Sequence, residues 1–152
     1  MTDAEILTVI DATFGSYQRP EHFTDFTHCS ECAEHDALLR SRSRGELRTA
    51  DVSNPGWNPI CFVSNEAFAY LVPDLVRLAL QPTKSDWSFP NLLFHLTNED
   101  ERNRYLTLFT ARERSALLAF LRHVAATRGP ALETFLPTGA IAPAIDLWCR
   151  GA

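Results

Sequence analysis

Residues 110–124 read TARERSALLAFLRHV, and this stretch decides the fold class of the chain. Thr110 and Glu113 form a capping box, in which the hydroxyl and the carboxylate each satisfy a backbone amide that lacks a partner inside the helix. Apolar residues then recur at helical spacing, as at Leu117 and Leu121, so that they share one face. The stretch predicts an amphipathic helix that packs this face into a core and ends at the Gly-Pro pair that follows.

Two further helices are predicted towards the N-terminus. Thr2 and Glu5 form a second capping box, which precedes apolar residues at helical spacing. Residues 17–27, YQRPEHFTDFT, predict an extended loop because a proline biases the residue before it out of the helical region. Ser30 is then placed to begin a second helix, which Gly45 ends.

Prolines are expected to divide the helices in the rest of the chain. Ser64 is placed to cap one helix, and Pro73 is expected to begin a separate helix as its first residue. Residues 87–97, WSFPNLLFHLT, predict a short and mostly buried helix. The tail predicts one or two short helices, broken at Pro137 and Pro143.

The one strand candidate is ICFV at residues 60–63, and a single strand cannot form a sheet. A length of 152 residues and a hydrophobic content of 45% suit one globular domain. We therefore predict a mainly α fold. It is a single compact multi-helix domain over residues 1–152, with six to eight helices and at most one or two short strands.

Charge and hydropathy exclude several classes of function. The formal net charge is −5, whereas domains that bind nucleic acids are usually basic, so a nucleic acid is not an expected partner. The chain has no run of about 18 apolar residues, the length that a membrane span needs. Asp3 and Glu5 lie where a secretory signal would be basic and then apolar. We therefore expect a cytoplasmic protein.

The acidic charge is concentrated at the N-terminus. Residues 1–36 hold eight acids against one arginine, a balance of −7. Such asymmetry can orient a binding partner, although a solvated acidic helix has the same composition. Trp57 and Trp87 lie in turn-rich segments, and aromatic side chains often dominate the binding energy of interfaces. These two tryptophans are the candidate residues for binding another protein.

The stretch HCSECAEH, which begins at His28, is the densest cluster of soft metal ligands in the chain. Zinc accepts sulfur and nitrogen ligands in tetrahedral geometry. On a helix that starts after the first cysteine, Cys29, Cys32 and His35 would project from adjacent turns towards one side. With Cys61 as the fourth ligand, or with the loop residue His28 or His22 in its place, they form the candidate zinc site.

Two other interpretations of this cluster stay open. A thiolate is stabilised at a helix N-terminus, and C-x-x-C is the dithiol arrangement of oxidoreductases, but the surrounding acids are expected to raise the thiol pKa. Alternatively, Cys29 and Cys32 pack as small apolar side chains. The chain contains no G-x-S-x-G, H-E-x-x-H, P-loop or G-x-G-x-x-G motif, so no catalytic residue is assigned. His95 and His123 are expected to be packing residues.

Three stretches resemble those of a known family. They are CSEC at residues 29–32, EAFAYLVPDLVRLAL at residues 66–80 and FTARERSALLAFLRHV at residues 109–124. Together they resemble a family of small uncharacterised bacterial cytoplasmic proteins, a domain of unknown function, and the resemblance covers most of the chain. It implies a bacterial intracellular origin and no particular activity.

These observations favour a non-enzymatic binding protein, of the immunity or regulatory kind, that engages another protein and carries a structural zinc at the C-x-x-C-x-x-H cluster. The alternative is an enzyme that uses Cys29 and Cys32 as a dithiol or as ligands of a catalytic metal.

Overall fold

The computed structural model describes residues 1–151, and within that range the chain forms nine α-helices and no β-sheet. The predicted single all-helical domain is confirmed. The helix count is one above the predicted range because α3 and α6, with four and five residues, are too short to show a period. The helices are α1 Asp3–Phe14, α2 Ser30–Arg40, α3 Thr49–Val52, α4 Asn65–Ala79, α5 Phe89–Thr97, α6 Arg104–Leu108, α7 Ala111–Thr127, α8 Gly129–Phe135 and α9 Ile141–Gly151.

Both predicted capping boxes form, and they start two helices that pack together. The Thr2 amide donates to the Glu5 carboxylate at 2.6 Å, and the Glu5 amide donates back to the Thr2 hydroxyl at 3.3 Å. Thr110 and Glu113 repeat this exchange at 2.7 and 3.2 Å. Because the two boxes fix where α1 and α7 begin, they also fix which residues of each helix meet.

The core lies where α7 packs against both α1 and α9, and α4 also packs against α1. Leu117, Phe120 and Leu121 of α7 are completely buried, as the helical spacing predicts. Aromatic rings contribute to this core, and the ring of Phe68 on α4 stacks on that of Tyr105 on α6 with centroids 4.0 Å apart. None of the helices within residues 1–151 combines the length and the apolar character of a membrane span.

The predicted helix boundary at Pro73 is wrong, because α4 runs without a break through this residue. A proline inside a helix lacks one backbone hydrogen bond and costs about 3 kcal/mol. Twelve of the fifteen residues of α4 are buried. Burial of an apolar side chain contributes about 1.5 to 3 kcal/mol, so packing along the whole helix outweighs the local cost.

Three other local predictions are also wrong. The second helix ends at Arg40 and not at Gly45. Residues 60–63 do not form a strand, because Pro59–Phe62 is a 3₁₀ turn and only Val63 pairs, with Thr24, in an isolated antiparallel bridge. Pro143 does not break the tail, because it lies in the first turn of α9. Backbone amides in a first turn have no intrahelical partner, so a proline there removes nothing.

The buried face of α7 supplies a stability prediction. Leu121→Ala should lower the free energy of unfolding by about 2 to 5 kcal/mol, because it removes apolar contacts and leaves a cavity. Leu108→Ala is the matched control, since Leu108 is half exposed, and it should cost less than about 1 kcal/mol. Urea denaturation followed by circular dichroism measures both. A loss below about 0.5 kcal/mol in Leu121→Ala would place this face of α7 outside the core.

Candidate metal and thiol site

Cys29 occupies the N-cap position of α2, and this position places the Cys29 thiol next to the Cys32 thiol. The Cys32 backbone amide donates to the Cys29 sulfur at 3.4 Å, in the way that a serine or aspartate usually caps a helix. The two sulfur atoms lie 3.2 Å apart. Cys29 is exposed, whereas Cys32 is 5% exposed. The two thiols therefore share a helix start but differ in their access to solvent.

The carboxylate of Asp36 holds the loop that leads to this site. It is buried on α2 and accepts hydrogen bonds from the backbone amides of Phe23 at 2.6 Å and Thr24 at 3.3 Å. Its other oxygen lies 2.7 Å from Nδ1 of His22. The Thr24 hydroxyl also donates to the carbonyl of Cys32 at 2.7 Å. These contacts fix the path of the loop immediately before Cys29.

His28 completes a cluster of three soft donors. Its Nδ1 lies 3.7 Å from the Cys32 sulfur. The donor atoms of His28, Cys29 and Cys32 all lie within 4.8 Å of one another. Because His28 and Cys29 are exposed, an ion or a small molecule can reach this cluster directly from solvent.

The local hydrogen bonds shift the pKa values of the two thiols in opposite directions. The backbone hydrogen bond from Cys32, aided by contacts with the Cys32 thiol and His28, lowers the pKa of Cys29 to about 7. The hydrogen bond with Cys29, together with burial, raises the pKa of Cys32. The contact with Cys29 also raises the pKa of His28. The expectation that nearby acids would raise the thiol pKa is therefore wrong for Cys29, while Asp25 and Glu31 do contribute to the rise at Cys32.

His35 does not join the cluster. It is fully buried, and its ring packs 4.8 Å from that of Phe62 and 4.6 Å from that of Trp57. Its Nε2 lies 3.4 Å from the carboxylate of Glu31. The predicted grouping of His35 with the two cysteines does not form, for two reasons. Cys29 precedes the helix, so helical spacing does not place it on the same face as His35. Aromatic packing also holds the imidazole of His35 in the core.

Cys61 does not join the cluster either. It lies on the 3₁₀ turn, and its sulfur is 3.9 Å from Nε2 of His95. Of the residues predicted for the site, the structure therefore brings together His28, Cys29 and Cys32, and it leaves His35 and Cys61 apart from them. His22, a nearby imidazole, is held by Asp36 instead.

The two tryptophans have different environments. Trp57 is 41% exposed, so one part of its indole is open to a partner while another part covers His35. Trp87 is buried, and its Nε1 donates to the carbonyl of Ala79 at 2.7 Å. Because the side chain is buried and its N–H is already bonded, Trp87 anchors the core and is not accessible to a partner.

Sequence reasoning missed the role of Asp36, although a signal was present. The buried residues of α2 are Cys32, His35, Asp36 and Leu39, which is the spacing of an inward face. A carboxylate on an inward face needs donors, because an unpaired buried charge is very costly. The loop of residues 17–27 is the nearest source of such donors along the chain.

The site depends on ionised Asp36, which supplies a pH prediction. Burial alone would raise the pKa of this carboxyl, but the hydrogen bonds from His22, Phe23 and Thr24 outweigh burial and hold the pKa below its ordinary value of 3.8. A lowered pKa stabilises the fold above the ordinary value, and this contribution disappears as the pH falls through the lower folded value. Asp36→Asn should therefore lower the melting temperature at pH 7, with a smaller deficit below pH 3.8.

Thermal unfolding measured between pH 2.5 and 7 tests this. Asp11→Asn is the control, because Asp11 is an exposed acid on α1, and it should leave the melting temperature nearly unchanged. An Asp36→Asn deficit that is equal at all pH values would show that the carboxylate charge does not hold the loop.

Comparison with known protein families, with curated proteins and with solved structures returns no match to this chain. The family resemblance of its sequence stretches therefore stays a prediction, and its function has to be inferred from the chemistry of its own residues.

Proposed function

We propose that the chain binds one zinc ion through His28, Cys29 and Cys32. The observation that carries this proposal is that three soft donor atoms lie within 4.8 Å of one another at an exposed position. Zinc binds thiolate sulfur at about 2.3 Å and imidazole nitrogen at about 2.0 Å, so sulfur ligands of one ion lie about 3.8 Å apart. The two sulfur atoms, now at 3.2 Å, need to separate by only about 0.6 Å to reach this geometry.

The surroundings also favour a bound cation with thiolate ligands. The N-terminal end of α2 and the amide of Cys32 stabilise negative charge on the Cys29 sulfur. The contacts of Asp36 and Thr24 hold the loop before the cluster, which reduces the entropy lost when an ion orders the ligands. In a reducing cytoplasm the thiols would stay available for metal.

Three protein ligands leave the fourth position of a tetrahedral zinc site open. Structural zinc sites usually have four protein ligands, whereas three ligands are typical of sites where water or another molecule completes the shell. We therefore replace the closed structural site of the sequence prediction with an open one. Its fourth ligand is a water molecule or a side chain of a bound protein.

A role in binding another protein fits this open site. Phe26, in the loop before α2, exposes 43% of its surface, and Trp57, whose ring packs against His35 of α2, exposes 41%. The acidic N-terminal region offers fewer free charges to a partner than its composition predicted, because Asp3, Glu5 and Asp36 are bonded to other residues of the chain. The acids that stay exposed in residues 1–36 include Asp11, Glu21, Asp25 and Glu34. Within this proposal the chain is a small regulatory or immunity protein.

The zinc proposal predicts stoichiometry. Protein purified without a His tag or chelator, then reconstituted with zinc under reducing conditions, should retain one zinc per chain by elemental analysis. Cys32→Ser should lose the metal, and a zinc-dependent rise in melting temperature should disappear with it. Cys61→Ser and Cys149→Ser should both keep the metal, since neither thiol belongs to the cluster. If the wild-type protein retains no zinc, or if Cys32→Ser retains it, the proposal is contradicted.

A second candidate function is dithiol–disulfide exchange by the same cysteines. Two observations favour it: the sulfur atoms are 3.2 Å apart, and the exposed thiol has the lowered pKa while the buried one has the raised pKa. The Cys29 thiolate would attack a substrate disulfide, form a mixed disulfide and release one substrate thiol. Cys32 would then lose its proton to solvent, attack the Cys29 sulfur and release the second substrate thiol. The substrate gains two electrons, and the chain keeps a Cys29–Cys32 disulfide.

The exchange reaction predicts selective reactivity at Cys29. Its alkylation by iodoacetamide should reach half of its maximal rate near pH 7, where the thiolate is half formed. Cys29→Ser is the control, and it should remove the labelling that has this midpoint. Oxidised glutathione should produce the Cys29–Cys32 disulfide, detected by peptide mass spectrometry. A midpoint for Cys29 well above pH 7, or the absence of such a disulfide, would exclude the exchange reaction.

A further inference from the structure

A cavity of about 380 Å³ lies between the 3₁₀ turn Pro59–Phe62, the C-terminal end of α5 and the start of α6. Its lining includes a thiol, an imidazole, a guanidinium and a phenol, from Cys61, His95, Arg104 and Tyr105. None of these residues belongs to the His28, Cys29 and Cys32 cluster. The cavity is therefore a separate place where chemistry is possible.

Cys61 and His95 have the geometry of a nucleophile and its base. The Cys61 sulfur lies 3.9 Å from Nε2 of His95. Distances between a nucleophile and its base are often longer without substrate than in the reactive complex. Burial, with a smaller effect of the Arg104 charge, lowers the pKa of His95 to about 4, so at neutral pH its imidazole is uncharged but weakly basic. It can therefore take the thiol proton only as the S–C bond forms, when the attacking S–H group becomes strongly acidic. Burial raises the pKa of Cys61, so that thiol keeps its proton until a base removes it.

Asn103 sets the position of Arg104 relative to His95. Its side-chain amide donates to the carbonyls of His95 at 2.8 Å and Asn98 at 2.9 Å, while its oxygen accepts from the amide of Tyr105 at 3.0 Å. Asn103 is itself buried. One side chain thus ties the end of α5 to the start of α6, and the imidazole and the guanidinium lie at the same cavity.

Arg104 and Tyr105 provide donors for an anion. The Arg104 guanidinium donates to the Tyr105 hydroxyl at 2.7 Å and lies 4.8 Å from the centre of its ring. A phenol oxygen that accepts one hydrogen bond still has its own proton to donate. Burial raises the pKa of Tyr105 to about 12, so this proton is retained at neutral pH. Glu99 also lines the cavity, and its charge opposes an anion.

We propose that this cavity is an acyl-transfer site that takes a small ester or thioester carrying a negative charge. Cys61 is the nucleophile, His95 is the general base and Arg104 attracts the charge of the substrate. As the sulfur attacks the carbonyl carbon, the thiol proton passes to Nε2 of His95 and an S–C bond forms. The bond from carbon to the leaving oxygen or sulfur then breaks, and His95 returns the proton to the leaving group. The product is an S-acyl Cys61, which water or a second nucleophile releases.

Two activated esters test the proposal on the intact protein. They are 4-nitrophenyl acetate, which is neutral, and mono(4-nitrophenyl) succinate, which is anionic. Release of 4-nitrophenolate gives the rate, and peptide mass spectrometry gives the residue that carries the acyl group. Cys61 should be acylated, and the ratio of the succinyl rate to the acetyl rate should be higher at Cys61 than at the exposed Cys149. Acylation confined to other cysteines, or an equal rate ratio at Cys61 and Cys149, would overturn the proposal.

Variants assign the roles of the residues. His95→Gln should slow acylation of Cys61 about tenfold or more while leaving the rate at Cys149 unchanged. Arg104→Gln should lower the succinyl-to-acetyl rate ratio at Cys61 several-fold, and Glu99→Gln should raise it, because the two residues bring opposite charges to the cavity. Both positions are exposed, so these variants are expected to fold.

The outcomes separate this site from the zinc and dithiol proposals. Acylation of Cys61 should persist in Cys32→Ser, which removes the other cluster. If His95→Gln keeps its melting temperature and its Cys61 rate, His95 is not the base. If His95→Gln unfolds, the succinyl-to-acetyl rate ratios at Cys61 in Arg104→Gln and Glu99→Gln decide. An unchanged ratio in both variants overturns the proposal.

Discussion

The buried carboxylate of Asp36 is the interaction on which the N-terminal half of the molecule depends. It satisfies two backbone amides and one imidazole of a loop that has no helix or strand of its own. Without these bonds the backbone amides of the loop would return to water, and contacts such as that of the Thr24 hydroxyl with the Cys32 carbonyl would have to hold the loop against α2. His28 and Cys29 follow directly along the chain, so the position of both donors is set by a residue that touches neither of them.

The same residue type has different chemistry at different places in this fold. Cys29 is a helix cap with a lowered pKa, Cys32 is its buried neighbour with a raised pKa, and Cys61 lies on the wall of a cavity beside an imidazole. The backbone amide of Cys32 stabilises the Cys29 thiolate. The hydrogen bond with Cys29, followed by burial, disfavours charge on Cys32, and burial disfavours it on Cys61. Composition records four cysteines and cannot distinguish these environments.

Both candidate sites lie at the periphery of a helical core that is held by α1, α4, α7 and α9. The helices that carry side chains of these sites, α2, α5 and α6, are each tied to a neighbouring segment by a buried polar residue. Asp36 does this for α2, and Asn103 joins α5 to α6. A buried polar group requires specific partners, so it fixes orientation in a way that apolar packing does not.

The sequence by itself determined the helical class, the starts of α1, α2, α4 and α7, and the proximity of Cys29 to Cys32, because capping and helical spacing act within a few residues. Tertiary structure alone decided that α4 continues through Pro73, that ICFV is not a strand, that Trp87 is buried, and that His35 and Cys61 lie apart from the thiol pair. It also decided that Cys61 meets His95 across 34 positions of the chain. These features depend on which distant surfaces bury one another, and the free energy of that burial exceeds the local preferences that a sequence pattern records.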